Sequence, residues 1–417
     1  MTIMSNNRIN GSRRALAGAG LALSSLAVAG FPPAALAADP QTVSVGLIAP
    51  MSGIYARPGQ VMRMGAEMAV KDINDQGGIK ALGGAKLKLV VVDSGDSTEK
   101  AKSSAQRMVA DYPDLVVGTG AYLSSFTLAV TEVTERAKLP VLTLSYSDQI
   151  TNRGFKYIFQ TSATAGKQAG IALPIILDLA EKASGKRPKT VAILTDNTAA
   201  SLSSVKAMKD GLLAQNKLEL VVDETFTPPL SDASSLIQRV RSRRPDLVFF
   251  LPTVISDAKL ILEKMNETNV RIPVISFGIA IAEPDVLNTV SPQLINGVMS
   301  AVANWGAKGQ EKLIQRLKTE YNEPWMTQNA ISTYGDMWIM KAALEKAGKA
   351  DREAVGAAMR ALDAGPTPYF PGGELKFDEN GRRVGAGLTI IQWQNGVPVT
   401  VFPEELAIAK PIWPGKQ

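Results

Sequence analysis

Residues 115–152 read LVVGTGAYLSSFTLAVTEVTERAKLPVLTLSYSDQITN, and this stretch decides the fold. Residues 115–117 are a short apolar run stopping at Gly118-Thr119-Gly120, the pattern of a buried strand entering a polar loop. Ser124 and Ser125 stand where a helix should begin. Phe126, Ala129, Val130 and Val133 then recur at helical spacing, and Pro140 closes the segment. Residues 141–144 read as the next strand, ending in Ser145-Tyr146-Ser147. Open parallel sheets take ligands at the carboxyl ends of their strands, and here two successive strand ends carry hydroxyl clusters. The serines at 124 and 125 also precede a helix whose free N–H groups attract an anion. Ser124 taken singly reads equally well as an N-cap, where serine is preferred; the second hydroxyl loop tilts the reading toward a ligand site.

The same alternation extends in both directions. Upstream, residues 43–48 read as a strand ending at Pro50-Met51-Ser52-Gly53; Met62, Ala66, Ala69 and Ile73 mark a helix face stopped by Gly77-Gly78. A strand over 87–92 and a helix faced by Ala101, Ala105 and Met108 follow. This β-α-β-α-β-α-β order predicts a parallel sheet covered by helices on both faces. Residues 157–160 read as an extended link, and a second α/β unit starts after it. That unit has a helix over 170–179 containing Pro174 and strands over 190–194, 218–222, 247–251 and 274–277. Helix faces are marked by Val205, Met208 and Leu212, by Leu236, Ile237 and Val240, and by Ala258, Ile261, Leu262 and Met265. Past Gly297 the pattern changes. Residues 298–302 read as a return toward the first unit, and helices are predicted over 312–321, 328–347 and 352–362. Pro366, Pro368 and Pro371 break the chain, Asn380-Gly381 signals a tight turn, and 388–393 with 397–401 read as a hairpin around Asn395-Gly396, adding edge strands to one sheet.

Residues 1–37 read as an export leader. Arg13-Arg14 precede an apolar, small-residue run over 15–30, and Ala35-Leu36-Ala37 is a small-x-small cleavage site, so a mature chain is expected from Ala38 by the twin-arginine route. The run is too short and too rich in small residues for a membrane span, and no later stretch is long and apolar enough for one. The expected protein is soluble and periplasmic. Of the net charge of +6, Arg8, Arg13 and Arg14 account for three, and the remainder is no nucleic-acid signature. The densest basic cluster, Arg239, Arg241, Arg243 and Arg244, has no Gly-rich loop or interleaved aromatics and reads as a solvated helix end. There is no cysteine and no histidine. Disulfides, a lipidated mature N-terminus, Cys- or His-ligated metals and a Ser-His-Asp triad are thereby excluded. Neither a cofactor nor a metal is expected, and without a recognisable nucleophile or acid–base setting an enzyme is not expected either.

Four stretches carry a family resemblance: VGLIAPMSGIYARPGQVMRMGAEMAVKDINDQGGI at 45–79, VVVDSGDSTEKA at 90–101, the 115–152 segment, and GGELKFDENGR at 372–382. Together they resemble type I periplasmic substrate-binding proteins of the branched-chain amino-acid (leucine/isoleucine/valine-binding) group, which serve ABC importers. The resemblance implies two Rossmann-like α/β lobes with parallel sheets joined by a three-crossing hinge, and a small-molecule ligand trapped between them by hinge closure. Combined with the pattern changes it sets the crossings near Gln160, Ala303 and Phe370. Lobe one is then 38–160 with 303–370, lobe two 161–302 with 371–409, and 410–417 a C-terminal tail. Family members that bind amino acids hold the carboxylate on first-lobe hydroxyls and amides, which map onto Ser124, Ser125, Ser145, Tyr146 and Ser147. Their second lobe supplies an aromatic residue after its first strand and an acid after a later one. Here those places read Asn197-Thr198-Ala199 and Ser276-Phe277-Gly278-Ile279, with no aromatic in the first and no acid in the second, and Glu283 comes several residues later. Thr198 and Gly278 are therefore the second-lobe candidates. Tyr55, Arg57 and Tyr122 are added as first-lobe groups able to stack on or pair with an acid. The implied function is a periplasmic solute receptor, expected as a monomer, that captures a small amino acid or related carboxylate and passes it to a permease/ATPase complex. An aromatic or other organic acid lacking an amino group, and a sensing role with a signalling partner, stay open beside it.

Overall fold

The computed structural model describes residues 42–278 and 280–413. The leader, with Arg13, Arg14 and the Ala35-Leu36-Ala37 site, lies outside them, as do Ile279 and the last four residues of the tail. The first sheet contains β1 (Thr42–Ala49), β2 (Lys86–Asp93), β3 (Leu115–Gly120), β4 (Val141–Thr143) and β5 (Ile158–Gln160), in the order β2-β1-β3-β4-β5 with every pair parallel. β5 is the segment read as a link. Its three residues are all buried and pair with β4, too few to display a period of their own. Helices α1 (Ala56–Asp75), α2 (Thr98–Asp111) and α3 (Ser124–Arg136) complete the unit. The expected inward residues of α1, Met62, Ala66, Ala69 and Ile73, are all buried.

The second unit contributes α4 (Ala165–Ser184), β6 (Thr190–Asp196), α5 (Ala199–Ala207), β7 (Glu219–Phe226), α6 (Ser234–Arg243), β8 (Leu247–Leu251), α7 (Ile255–Glu267), β9 (Val274–Phe277) and β10 (Met299–Val302). β10 does not return to the first unit: it pairs in parallel with β9, and the crossing comes after it. The chain then supplies α8 (Glu311–Tyr321), α9 (Gln328–Ala347), α10 (Arg352–Arg360) and a two-stranded ribbon of β11 (Asp363–Pro366) and β12 (Glu374–Lys376). It ends in β13 (Thr389–Gln394) and β14 (Val397–Phe402), turning through Asn395 and Gly396, both at positive φ as a two-residue hairpin requires. The hairpin extends the edge of the second sheet, whose order is β14-β13-β10-β9-β8-β6-β7. The Arg239–Arg244 cluster ends α6, with Arg244 left-handed at its C-cap and Arg239 paired to Glu224.

Each sheet buries an apolar layer on both faces. α9 returns to the first lobe and lies along α1, so closely that a Cβ on Gly65 would stand 2.2 Å from the Ala330 carbonyl oxygen. The third crossing lies later than Phe370. Leu375 and Phe377 pack into the first-lobe core, whereas Leu388 and Ile390 pack into the second, so the chain passes over between Phe377 and Leu388. Pro366 ends β11, and Pro368 and Pro371 lie in the irregular chain between β11 and β12. Arg383 clamps this crossing to the first one: Nε donates to the Thr161 carbonyl (2.9 Å), Nη1 to Gly372 (2.7 Å) and Nη2 to Pro371 (2.9 Å). Gln160 pairs with the same strip through Gly381 and Arg383 backbone bonds.

Candidate functional site

The carboxyl ends of β3 and β4 and the start of α3 face the loops after β6, β8 and β9, and together they line a cavity of about 80 Å³. At about 10–15 Å³ per water-sized group, that is room for roughly five to eight such groups, which suits a small solute. Tyr122, Ser124, Ser125, Ser145, Tyr146, Thr198 and Gly278 line it; Tyr55, Arg57 and Ser147 do not.

The lobe-one wall is built by two loops tied together. α3 begins at Ser124, and Leu123 occupies the cap position, so Ser124 is not an N-cap. Its Oγ instead accepts from the backbone N–H groups of Tyr146 (3.2 Å) and Ser147 (3.1 Å), joining the loops after β3 and β4. Those two amides are thereby occupied, while the Ser124 hydroxyl keeps its own proton to donate. Ser145 is also committed internally, donating to the Tyr122 carbonyl (2.9 Å) and pairing with Thr127 Oγ1 (2.7 Å). The first bond inside α3 runs from Thr127 N–H to the Leu123 carbonyl, which leaves the amides before it free at the positive end of the helix. Ser125 sits on that turn. Tyr122 holds φ 72, a left-handed conformation uncommon for a bulky residue, and its hydroxyl pKa is pushed up by burial and by Glu283.

The lobe-two wall is organised by Asp196 at the end of β6. Fully buried, its Oδ1 accepts from Thr198 N–H (3.0 Å) and Thr198 Oγ1 (2.7 Å), and its Oδ2 from Thr253 N–H (2.7 Å). One carboxylate thus sets the loops after β6 and β8. No Asp or Glu is among the described residues lining the cavity.

The three expected residues that stay outside the cavity all lie in or beside the cleft between the lobes. Arg57 spends its donors on protein carboxylates, Nε to Asp285 (2.6 Å) in lobe two and Nη2 to Glu323 (2.8 Å) in lobe one. Ser147 Oγ pairs with Ser203 Oγ of α5 (2.9 Å). Tyr55 packs on Tyr122 and Phe126 at the mouth of the cleft. Glu283, outside the cavity wall, accepts from Asn329 Nδ2 (2.8 Å) across the lobes, and burial pushes its carboxyl up to about 8.

One wall residue has no precedent in the sequence reading. Gln328, the first residue of α9, lines the cavity with 1% exposure. Its Oε1 accepts from the Ala303 backbone N–H (2.8 Å) and from the Tyr146 hydroxyl, and its Nε2 is buried without a partner. Apart from its place at a helix start it shows no signal in sequence, because it comes from a segment far from the two loops it joins.

A two-lobed α/β chain with an inter-lobe cavity agrees with its family match: residues 42–397 fit the family described as Periplasmic binding protein. The chain belongs to the periplasmic binding protein family. A relative from Brucella suis biovar 1 (strain 1330), named Leu/Ile/Val-binding protein homolog 8, is 28% identical over 407 residues, covering 94% of this chain and 96% of its own. Among solved structures, the LivJ substrate-binding protein of Streptococcus pneumoniae in complex with isoleucine superposes with a TM-score of 0.74 at 18% identity, covering 86% of this chain and 100% of that one. A solute-binding protein of R. palustris in complex with benzoate superposes at 0.70 with 20% identity, covering 89% and 99%. These likenesses establish the type I fold for this binding protein, which matches the two parallel-sheet lobes described above. Among its described residues no helix is long and apolar enough to cross a membrane.

Proposed function

We propose that this periplasmic binding protein captures a small amino acid or related carboxylate between its lobes and delivers it to the permease and ATPase of an ABC importer. The observation that carries the reading is the inter-lobe cavity at the start of α3, where the Ser124 and Ser125 hydroxyls and free helix amides converge. An oxyanion placed there meets donors and the positive end of a helix dipole. The Ser145 to Ser147 loop supports this seat from behind, since Ser124 holds its amides. Tyr122, Tyr146, Thr198 and Gly278 are assigned as further contacts, and Tyr55, Arg57 and Ser147 as closure residues. The relatives named for leucine, isoleucine and valine weigh toward an amino acid. The acid-free wall weighs toward a solute without an ammonium group, because a buried cation needs a counter-charge. The protein acts as a monomeric receptor without catalysis, released from a leader cut after Ala37; N-terminal sequencing of the exported form reads that site directly.

Calorimetry with a matched pair, leucine against 4-methylpentanoate, tests the ligand. Tighter binding of leucine supports the amino-acid reading, and equal or tighter binding of the deaminated acid replaces it with the organic-acid one. If neither these nor other small acids raise the melting temperature or release heat, the carboxylate seat is wrong.

A further inference from the structure

We propose that Gln328 reads the far end of the ligand, donating from Nε2 to an oxygen acceptor, so that the preferred solutes are small acids with a second carbonyl or carboxylate oxygen. This rests on the seat for the acid at the start of α3 and names the ligand class that seat would take.

The orientation of the carboxamide is set by its partners. The Ala303 backbone N–H can only donate, so the Gln328 atom 2.8 Å from it is the oxygen. The Tyr146 hydroxyl gives a second hydrogen bond to the same oxygen. With both lone pairs engaged, the end left over is Nε2, a donor with two hydrogens, buried and unpartnered on a residue of the cavity wall. Of the eleven buried side-chain polar atoms without a partner among the described residues, Gln328 Nε2 alone belongs to a residue of the cavity wall, where a ligand can supply the missing acceptor.

Tyr146 measures the separation of the two polar ends. Its backbone N–H is tied to Ser124 at the start of α3, and its hydroxyl is tied to Gln328. The acid seat and the Gln328 donor therefore lie about a tyrosine side chain apart, within a wall that also carries Leu144, Pro252 and Phe277. A cationic group at the Gln328 end would face two N–H hydrogens with no acid on the described wall to offset it. A carbonyl or carboxylate oxygen would accept from them.

The test uses four probes that differ only at their ends: leucine and asparagine, 4-methylpentanoate and succinamate. Within each pair the second member replaces a branched methyl end with a carboxamide. Calorimetry on the full mature protein should show the carboxamide member of at least one pair binding about tenfold tighter, the size of one well-made hydrogen bond that also removes an orphan donor. Gln328→Met keeps length and burial but removes the donor, and should abolish or reverse that preference. Gln328→Glu keeps the oxygen that accepts from Ala303 and Tyr146, and should weaken the carboxamide ligand by at least tenfold. Circular dichroism and the melting temperature of the free variants check that each is folded. A wild-type preference for the branched member that Gln328→Met leaves unaltered overturns the proposal while the acid seat stands. Failure of all four probes to bind overturns the seat, and the proposal with it.

Discussion

The wall of the cavity and the rim of the cleft are built from opposite materials. The described wall is neutral throughout: hydroxyls, helix amides, one carboxamide and apolar side chains. The rim is charged or titratable, with Arg57 between Asp285 and Glu323, and Glu283 against Asn329. The difference separates two tasks. Neutral donors in a closed site discriminate by geometry and hold the same state at any physiological pH. Contacts between the lobes exist only while the lobes are together, so they set how easily the site closes. Recognition then belongs to the wall and the closing equilibrium to the rim, and the two should respond differently to pH and to mutation.

The largest expected effect is on pH dependence. Glu283 is buried between the lobes with Oε2 unpartnered, and desolvation, against the favourable pull of Arg57, pushes its carboxyl up to about 8. Asp336 on α9, hydrogen-bonded by Thr119 at 2.5 Å, is pushed up to about 7 by the same cause. Both folded values lie above the unfolded ones. Their stabilising contribution is therefore complete below about pH 4, where both states are protonated, and is lost as pH rises through 7 and 8. Stability of the closed form should fall by about 3 kcal/mol or more between pH 5 and 8. Glu283→Gln should flatten part of that slope and raise affinity at pH 8, while the ratio of affinities between two ligands stays the same. A melting temperature that is flat over this range, or that rises with pH, would show that these acids are not desolvated in the folded protein, and a slope that Glu283→Gln leaves unchanged would remove Glu283 from the closed state.

Next in size is Arg57. Its guanidinium is about 30% exposed, but Glu323 is only 4% exposed, so Arg57→Ala strands a buried carboxylate as well as cutting the lobe-to-lobe bond to Asp285. Removing one partner of a fully buried pair costs about 3–5 kcal/mol; with Arg57 and Asp285 partly in water, about 2–3 kcal/mol is expected. Affinity for every ligand should fall by a similar factor. Small-angle scattering should show a larger radius of gyration for the free variant, converging on the wild-type value at saturating ligand. A ligand-selective loss instead would place Arg57 on the wall.

Ser125→Ala should do the reverse. A hydrogen bond to a charged group contributes about 1.5–3 kcal/mol, and shared donation from the helix amides puts this one near the lower end, about one decade in the dissociation constant. The melting temperature of the free protein should stay within about 1 °C, since Ser125 faces the cavity and the mouth of the cleft rather than the core. Equal losses of affinity and of free-protein stability would mean that Ser125 supports the fold.

Much of this architecture was legible because its signals are local. The strand at Val274–Phe277 and the helix face of Ala258, Ile261, Leu262 and Met265 stand where apolar spacing places them, and Asn395-Gly396 turns the hairpin as its residues require. The misread pieces are those whose state is set from far away. β5 is a strand only because β4 offers it an edge, and the last crossing is displaced past three prolines because Leu375 and Phe377 find the first-lobe core. The site divides the same way. The hydroxyl loops at 124–125 and 145–147 were visible as strand ends, but which hydroxyl faces the cavity was not. Neighbouring residues of one loop point in different directions, so Ser145 turns inward to Thr127 and Ser147 across to Ser203. Arg57 does donate to carboxylates, as its chemistry suggested, but to those of its own chain. Gln328 became visible only when the fold brought α9 against Tyr146.

The smallest effect belongs to Ser147, and it tests the boundary between wall and rim most closely. Its hydroxyl meets Ser203 at 2.9 Å and also accepts from Gln149 N–H at 3.3 Å, and the side chain is fully buried. A neutral hydrogen bond of this kind contributes about 1 kcal/mol. Ser147→Ala should therefore raise the dissociation constant of every ligand by about fivefold. Ser203→Ala should have the same effect, and the double variant should be little worse than either single one, because both remove the same bond. The ratio of leucine to 4-methylpentanoate affinity should stay at its wild-type value in all three. If Ser147→Ala shifts that ratio while Ser203→Ala leaves it alone, the Ser147 hydroxyl touches the ligand, and the division between a neutral recognising wall and a closing rim fails at the residue where the two meet.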